Sequence, residues 1–196
     1  LGVIPLAAHG IAVQIATATF MIQMGLSNAA TVRAGTAAGH ADARHLDIGA
    51  RAVLALGMAG VAFSILLFLA VPEPLIGFFL DPDDPDRAAI IQTGRVLLIM
   101  AALFQLGDAV QVIHLGLLRG LQDTRVPMLM AALAYWGIGL PAAWGLGLPL
   151  GLGGVGVWAG LSLGLGVAGL LLGWRFWTRA VPGLARAAPG EAIPGL

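Results

Sequence analysis

Residues 52–71 read AVLALGMAGVAFSILLFLAV, and none of these twenty residues carries a charged side chain. The hydrocarbon core of a bilayer is about 30 Å thick, which an α-helix of about 20 apolar residues crosses. A strand of a membrane barrel would alternate apolar and polar residues, whereas this run is continuously apolar. The segment therefore predicts a membrane-spanning helix.

Comparable apolar stretches occur before and after this segment. Five spans are predicted in all, and they cover residues 3–32, 52–71, 88–118, 126–148 and 152–174. Residues 179–196 are predicted to form a polar tail, because Pro182, Pro189 and Pro194 argue against a continued helix. The predicted fold class is all-α, a polytopic membrane helix bundle over residues 1–178 followed by this tail.

The composition agrees with a chain that lies within lipid. Hydrophobic residues make up 59% of the 196 residues and charged residues 10%, with a mean hydropathy of +0.92, whereas soluble domains usually carry about a quarter charged residues. Ten Arg, with no Lys, cancel ten acidic residues, so no basic face exists for nucleic acid. The absence of Cys excludes disulfides and Cys-ligated metal sites. The lipid bilayer is the expected partner.

Arginine positions predict the orientation, because short cytoplasmic loops collect Lys and Arg. Eight Arg lie between the first and second spans, between the third and fourth spans or after the fifth span. They are Arg33, Arg44, Arg51, Arg119, Arg125, Arg175, Arg179 and Arg186. Only Arg87 and Arg95 lie near the opposite loop, which contains four Asp. We expect a multi-pass protein of a bacterial inner membrane with a cytoplasmic C-terminus. Because five spans then place Leu1 outside, we interpret the chain as a C-terminal piece with spans upstream.

One carboxylate falls inside a predicted span. The third span contains the sequence FQLGDAVQ, residues 104–111, and places Asp108 near the bilayer midplane. An ionised Asp there costs about 2.5 to 3.5 kcal/mol, and such residues usually serve ion or proton pathways. Gln105 and Gln111 lie about 60° to either side of it on the helix, and Phe104 can present its ring to a cation. We expect these three residues to line a cavity beside Asp108. Two interpretations remain open, a cation-coupling residue in a cavity and a structural carboxyl group that hydrogen-bonds a neighbouring helix.

The first span is also unusually polar. Its polar residues form two strips, His9, Thr19, Gln23 and Ser27 on one and Gln14, Thr17 and Asn28 on the other. We expect this helix to line a cavity too, with Gln14 among the lining residues. His9 lies close to the outer end, where an interfacial His is common. The four His have no metal-ligand spacing, so no metal site is predicted.

A short motif in the fifth span raises the possibility of an enzyme. Residues 160–164, GLSLG, match the G-x-S-x-G pattern of a nucleophilic serine. With 29 Gly in the chain such matches arise easily, and neither a preceding strand nor a partner base is evident. Gly156, Gly160 and Gly164 instead have the spacing of small residues that let membrane helices pack closely, as do Gly169 and Gly173. We therefore predict no enzyme activity.

The connector between the third and fourth spans, residues 119–125, is predicted to be structural. Its sequence RGLQDTR places Asp123 and Thr124 directly before the fourth helix. Both residue types favour the N-cap position. We therefore expect Asp123 and Thr124 to cap the fourth helix.

Four segments together have the pattern of one family. The longest is AALFQLGDAVQVIHLGLLRGLQDTRVPMLMAALAYWGIGLP, residues 101–141, whose most specific part is FQ-x-x-D-A-x-Q followed by G-x-L-R-G-x-x-D-T-x-x-P. The others are PLAAHGIAVQ at 5–14, MIQMGLSNAATVRAG at 21–35 and GVGVWAGLSLGL at 154–165. On these residues nearly the whole chain resembles the multidrug and toxic compound extrusion (MATE) family, NorM-like branch.

The resemblance implies a transporter of twelve spans in two six-helix lobes. This chain would supply spans eight to twelve, and the N-terminal lobe of the same chain would be its partner. The family exports amphipathic, often cationic drugs or toxins by antiport against Na⁺ or H⁺, without a cofactor, and the Asp that matches Asp108 is implicated in cation coupling. Gly10 stands where relatives commonly have Gln, and the seventh span, which carries a further acidic residue in some relatives, is not in this sequence. The coupling ion therefore stays open.

Three functions are carried forward. The leading hypothesis is secondary active multidrug efflux by alternating access. The second is a flippase of lipid-linked saccharides from the same superfamily, which would favour a larger and more basic cavity. The third is a membrane scaffold that transports nothing, in which Asp108 only pairs helices.

Overall fold

The computed structural model describes residues 2–187 and residue 193. Five helices in this part of the chain are long and apolar enough to span a membrane, which confirms the predicted polytopic all-α bundle. We call them the first to fifth spans, and they cover Val3–Gly39, Ala43–Ala70, Arg87–Gly120, Arg125–Gly147 and Gly153–Leu184. A short helix, Pro72–Gly77, follows the second span, and no strand occurs among the described residues.

The first two spans are longer than predicted. Residues 33–51 were expected to form a loop, but the first span continues to Gly39 and the second begins at Ala43. Only a tight turn separates them, in which Ala41 has a φ of 51° and the Asp42 carboxylate accepts a 2.8 Å hydrogen bond from the His45 N–H. The expectation was wrong because a helix does not have to end where its side chains become charged.

The fourth span changes its helical geometry midway. Between the α-helical segments Arg125–Ala132 and Leu140–Gly147, residues Leu133–Gly139 form a π-helix. Pro141 lies in the first turn of the second α-helical segment. Proline has no N–H to continue an α-helix, and π-helical turns occur mostly as short insertions inside α-helices.

The fifth span uses the same arrangement and therefore passes the residue at which it was predicted to stop. After Arg175, the π-helical segment Phe176–Ala180 leads into a final α-helical turn, Val181–Leu184. Pro182 lies in the first turn of that segment, a position that tolerates proline. The prediction that Pro182 prevents a continued helix was wrong, whereas Pro189 and Pro194 lie outside the described residues.

Two apolar clusters, one at each end of the bundle, hold the spans together around the third span. At the end that carries most of the Arg, Leu46, Ile113 and Phe176 are almost fully buried. At the opposite end the core is formed by residues such as Phe68 and Leu98, also almost fully buried. The clusters leave the middle of the third span, around residues 105–108, between them.

Glycines bring the fifth span against its neighbours, as the small-residue spacing predicts. A Cβ added at Gly160 would overlap the backbone of Ala143 in the fourth span. At Gly164 it would lie 2.7 Å from the Cα of Gly139. The fifth span therefore packs backbone to backbone on the fourth, and the prediction is confirmed.

Ser162, of the G-x-S-x-G match, lies inside the helix of the fifth span. Its hydroxyl donates a hydrogen bond to the Trp158 carbonyl at 2.8 Å. A nucleophilic serine of this motif lies instead on a strand-to-helix turn.

Polar residues of the first span serve packing in its second half. Gln23 Nε2 donates to the carbonyl of Gly57 in the second span at 3.2 Å, and Ser27 Oγ donates to the carbonyl of Val112 in the third span at 2.7 Å. Both side chains are buried. Gln23 and Ser27 therefore join the first span to its neighbours, because backbone carbonyls of those spans come close enough to accept their hydrogen bonds.

A buried ion pair joins the connector of residues 119–125 to the fifth span. Arg175 donates to the carboxylate of Asp123 from Nε at 2.5 Å and from its terminal nitrogen at 3.1 Å. Both side chains are at most 10% exposed. Thr124 occupies the N-cap position of the fourth span without a side-chain cap bond. The prediction that Asp123 and Thr124 cap the fourth helix through their side chains was wrong. The Asp123 carboxylate instead pairs with Arg175, which lies 52 residues further along the chain.

Candidate functional site

A cavity of about 400 Å³ opens between the first, third and fifth spans. Its walls are mostly apolar and aromatic, and the lining residues are His9, Val13, Ala16, Thr17, Phe20, Phe104, Gln105, Asp108, Val157, Trp158 and Leu161. Among these residues Asp108 carries the only carboxylate, and no Arg contributes to the walls. Ligand pockets usually combine an apolar lining with a small number of placed polar groups.

Asp108 lies near the middle of the third span. Thirteen residues separate it from Arg95 and twelve from Gly120 at the end of the same helix. At a rise of 1.5 Å per residue these separations are about 20 Å and about 18 Å. The carboxylate is thus near the middle of the hydrophobic length of the third span, in the zone between the two apolar clusters.

The Asp108 carboxylate is half-buried and forms no hydrogen bond or ion pair with another residue in the described part of the chain. A structural carboxyl group that pairs helices would be bonded to a neighbouring span, as Ser27 is to Val112. The buried Asp123 has such a partner in Arg175, whereas Asp108 faces the cavity. Its surroundings are those of a group that receives a ligand.

Gln105 is the second polar group of the cavity. It lies one helical turn before Asp108, is 3% exposed and lines the same space. Neither Oε1 nor Nε2 has a hydrogen-bond partner among the described residues. Because a buried amide without partners costs free energy, these two atoms are suited to contact a ligand beside the carboxylate.

Three aromatic rings meet at the cavity wall. Phe104 and Trp158 are in edge-to-face contact with centroids 5.5 Å apart, and Trp158 and His9 are 5.8 Å apart. The indole Nε1 of Trp158 donates a hydrogen bond to Nδ1 of His9 at 3.3 Å. Aromatic faces near a carboxylate favour organic cations, which both groups attract.

The predicted site residues do not all reach this cavity. The structure places Asp108, Phe104 and Gln105 at its wall. Gln14 is exposed and is not among the lining residues. It lies about 100° around the helix from the lining residue Val13. Gln111 is buried, and its backbone lies against Gly169 of the fifth span. Gln111 is therefore not among the residues that line the cavity.

Trp158 was missed by the sequence reasoning. Its partner His9 is 149 residues away, so no local motif joins them. The one available signal was composition, because Trp158 is the only aromatic residue between residues 153 and 173. No group of three or more His, Asp or Glu residues that could hold a metal ion occurs within the part of the chain that the structure describes.

This chain is similar in sequence to known membrane proteins of one family. The sequence model of the MatE family matches residues 1–144. The chain is 48% identical over 177 residues to "Probable multidrug resistance protein NorM" of Rhizobium meliloti (strain 1021). It is 42% identical over 179 residues to "Multidrug resistance protein NorM" of Burkholderia vietnamiensis. Each alignment covers 90% of this chain and 38% of the relative, so the chain spans less than two fifths of these relatives' length.

A solved structure has the same fold. The crystal structure described as "eukaryotic MATE transporter AtDTX14" matches with a TM-score of 0.80 at 18% sequence identity. The match covers 95% of this chain and 40% of that chain. At this level of identity the match establishes the shared helix arrangement.

Five apolar spans, three of which enclose a mostly apolar cavity whose lining includes one carboxylate, define a polytopic membrane protein with a pocket inside its helix bundle. The family model covers most of the chain, and relatives more than 40% identical align with nearly all of it. The chain belongs to the MatE family, which confirms the resemblance drawn from residues 101–141.

Proposed function

We propose that this chain forms the C-terminal lobe of a two-lobe secondary transporter that exports amphipathic or cationic small molecules in exchange for Na⁺ or H⁺. One observation carries the proposal: Asp108 lies deep in an aromatic-lined cavity without a partner among the described residues. A carboxylate in this position attracts either a coupling ion or a cationic drug. The names of the relatives, which are multidrug resistance proteins, support the same proposal.

Asp108 is proposed to alternate between two states. In one state the carboxylate binds Na⁺ or a proton, and in the other it is free to attract the positive charge of the exported molecule. Because the two ligands compete for one carboxylate, binding of one favours release of the other. Each ligand shifts the equilibrium between inward-facing and outward-facing arrangements of two lobes, as in other transporters that work by alternating access.

The partner in this proposal is an N-terminal lobe. The chain aligns with 38% of the length of its relatives, which agrees with spans eight to twelve of a twelve-span protein. We propose a location in the cell inner membrane, with the turns at residues 40–42 and 121–124 and the C-terminus in the cytoplasm. The Arg bias between the two ends of the bundle supports this orientation.

The two alternatives fit the cavity less well. A flippase of lipid-linked saccharides must bind phosphate groups, for which Arg and Lys are the usual ligands. The lining of the Asp108 cavity contains neither residue. A scaffold would use Asp108 to join helices, yet its carboxylate faces open space whereas Ser27 and Gln23 bond to neighbouring spans.

Flux measurements in proteoliposomes test the proposal. The full-length transporter is reconstituted, and uptake or release of a fluorescent cation is followed with and without an imposed Na⁺ or H⁺ gradient. A transporter of the proposed kind moves the cation only when a gradient is present, and the effective ion identifies the coupling ion. Flux that is independent of both gradients would refute antiport, and the absence of any flux would favour the scaffold.

A further inference from the structure

A second cavity adjoins the Asp108 pocket. Its volume is about 660 Å³, and its walls come from the start of the first, third and fifth spans and from the turn after the fourth span. Most of the lining residues are apolar, such as Pro5, Val96 and Leu148, and Gln92 and Thr93 add polar groups. The two cavities share three lining residues, His9, Val157 and Trp158. Trp158 and His9 therefore stand at the boundary between an acidic pocket and a larger apolar one.

The indole of Trp158 is held in place from several directions. Its Nε1 donates to His9 Nδ1 at 3.3 Å, and its ring packs edge to face on Phe104. The backbone of the fifth span is fixed by Gly156 and Gly160, where any Cβ would overlap the fourth span. These glycines lie about 200° around the helix from Trp158. The contact with the fourth span thus directs Trp158 toward the first and third spans and into the boundary.

We propose that Trp158 is the specificity-determining residue of the Asp108 pocket and that His9 is the residue that positions it. The ligand class is an aromatic organic cation. Its positive charge lies beside Asp108 and Gln105, and its flat ring stacks on the indole. Its remaining apolar part extends into the second cavity. This inference rests on the proposed export of organic cations and adds the residue that selects among them.

The side chains of the Asp108 pocket favour an aromatic organic cation over a divalent metal ion or a hydrophilic molecule. The side chains that line the cavity offer oxygen ligands from one carboxylate, one amide and the Thr17 hydroxyl, fewer than the about six to eight that Ca²⁺ takes. The aromatic lining includes Phe20 and also Phe104 and Trp158, which are in contact with each other. Stacking of a flat ring on an aromatic side chain is worth about 1–3 kcal/mol, and a cation near the ring adds attraction.

The test compares two cations that share a charge but differ in shape. Ethidium, which has a flat fused ring, and tetraethylammonium, which has none, are each bound to the purified full-length protein at equilibrium, without any ion gradient. Trp158→Leu is expected to lower the ratio of ethidium to tetraethylammonium affinity about tenfold, and Trp158→Phe to retain most of it. Trp174→Leu, an exposed Trp of the same span, is the matched control and should leave the ratio unchanged.

His9 is tested by removal and rescue. His9→Ala deletes the acceptor of the Trp158 hydrogen bond and is expected to lower the ethidium preference. His9→Asn keeps an acceptor at nearly the position of Nδ1 and is expected to restore the preference. A role limited to packing would reduce the affinity for both cations equally and would not be rescued by Asn.

The outcomes separate this inference from the proposed function. An unchanged affinity ratio in Trp158→Leu, an equal change in Trp174→Leu or a failure of the wild type to bind ethidium would each overturn the inference. Since binding is measured without a gradient, selective ethidium binding that depends on Trp158 stands even if gradient-driven flux is absent, in which case the antiport proposal alone fails. If gradient-driven flux is observed but the ratio of ethidium to tetraethylammonium affinity is unchanged in Trp158→Leu, the antiport proposal stands and the inference about Trp158 fails.

Discussion

Two buried glutamines in the bundle have different surroundings. Gln23 donates a hydrogen bond from Nε2 to the carbonyl of Gly57 in a neighbouring span. Neither amide atom of Gln105 has a partner in the described part of the chain, although its side chain is 3% exposed. A buried polar group without a partner costs about 1–3 kcal/mol. Gln105 is therefore suited to contact the ligand proposed for the Asp108 cavity, whereas Gln23 joins two spans through its hydrogen bond to Gly57.

Matched substitutions of these glutamines should have opposite effects. Gln23→Leu is expected to lower the free energy of unfolding by about 1 kcal/mol, because it removes an interhelical hydrogen bond. Gln105→Leu is expected to leave stability unchanged or to raise it, and to reduce export of an organic cation. Denaturant titration of the purified protein in detergent and a cell-based efflux assay measure the two effects. A loss of stability in Gln105→Leu as large as that in Gln23→Leu would contradict the assigned roles.

The sequence predicts which residues lie close together on one helix, but it does not predict which residues of different helices are in contact. Asp108, Gln105 and Phe104 lie within two turns of the third span, so helical periodicity places them together. The partners His9 and Trp158, or Asp123 and Arg175, are separated by 149 and 52 residues. Only the packing of the spans brings these side chains into contact, and no periodic pattern records that packing.

At the scale of helices, the fifth span shows how glycine sets the distance between neighbours. Gly160 lies against the backbone of Ala143, where an added Cβ would have no room. Gly166 lies on the same helix, and an added Cβ there would meet nothing within 4 Å. Small residues of this kind let membrane helices gain close van der Waals contact. The two positions form a natural pair for an experiment.

Gly160→Ala is expected to lower the free energy of unfolding by about 1–3 kcal/mol, because overpacking forces the fourth and fifth spans apart. Gly166→Ala is expected to be neutral or to stabilise by up to about 1 kcal/mol, because Ala favours the helix over Gly. Denaturant titration in detergent compares both variants with the wild type. Equal effects at the two positions would mean that the close approach at Gly160 is not a feature of the folded protein.

The spans were predictable, but their ends were not. Hydropathy identifies the part of a helix that contacts hydrocarbon, and it found all five spans. A helix is held by its own backbone hydrogen bonds, so it continues past the apolar stretch, as the first span does to Gly39. The fifth span likewise continues past Pro182, because its π-helical segment makes room for a proline. The sequence pattern contains no signal for such a π-turn.

At the scale of the whole molecule, the charges are separated along the bundle. Eight Arg lie toward the end that contains the turns at residues 40–42 and 121–124, and the loop of residues 78–86 at the other end contains four Asp. The cavity of Asp108 lies between two apolar clusters, one toward each end. This arrangement suits a binding site that opens to one side of a membrane at a time.

Cysteine labelling tests the proposed orientation. The chain contains no Cys, so single cysteines are introduced at Thr124 and at Asp83, both exposed. In intact cells a membrane-impermeant maleimide is expected to label Asp83→Cys but not Thr124→Cys. After the cells are opened, both sites are expected to react. Labelling of Thr124→Cys in intact cells would reverse the orientation.

The central claim is that Asp108 couples an ion gradient to export, and gradient-driven flux of the Asp108→Asn variant in proteoliposomes tests it most directly. Asn keeps the shape of the side chain and removes its charge, so the cavity keeps its geometry but loses the group for which ion and ligand compete. We predict that Asp108→Asn loses gradient-driven export, whereas the loop variant Asp83→Asn retains it. Export by Asp108→Asn that equals the wild type under the same gradient would show that Asp108 does not couple the ion gradient to export.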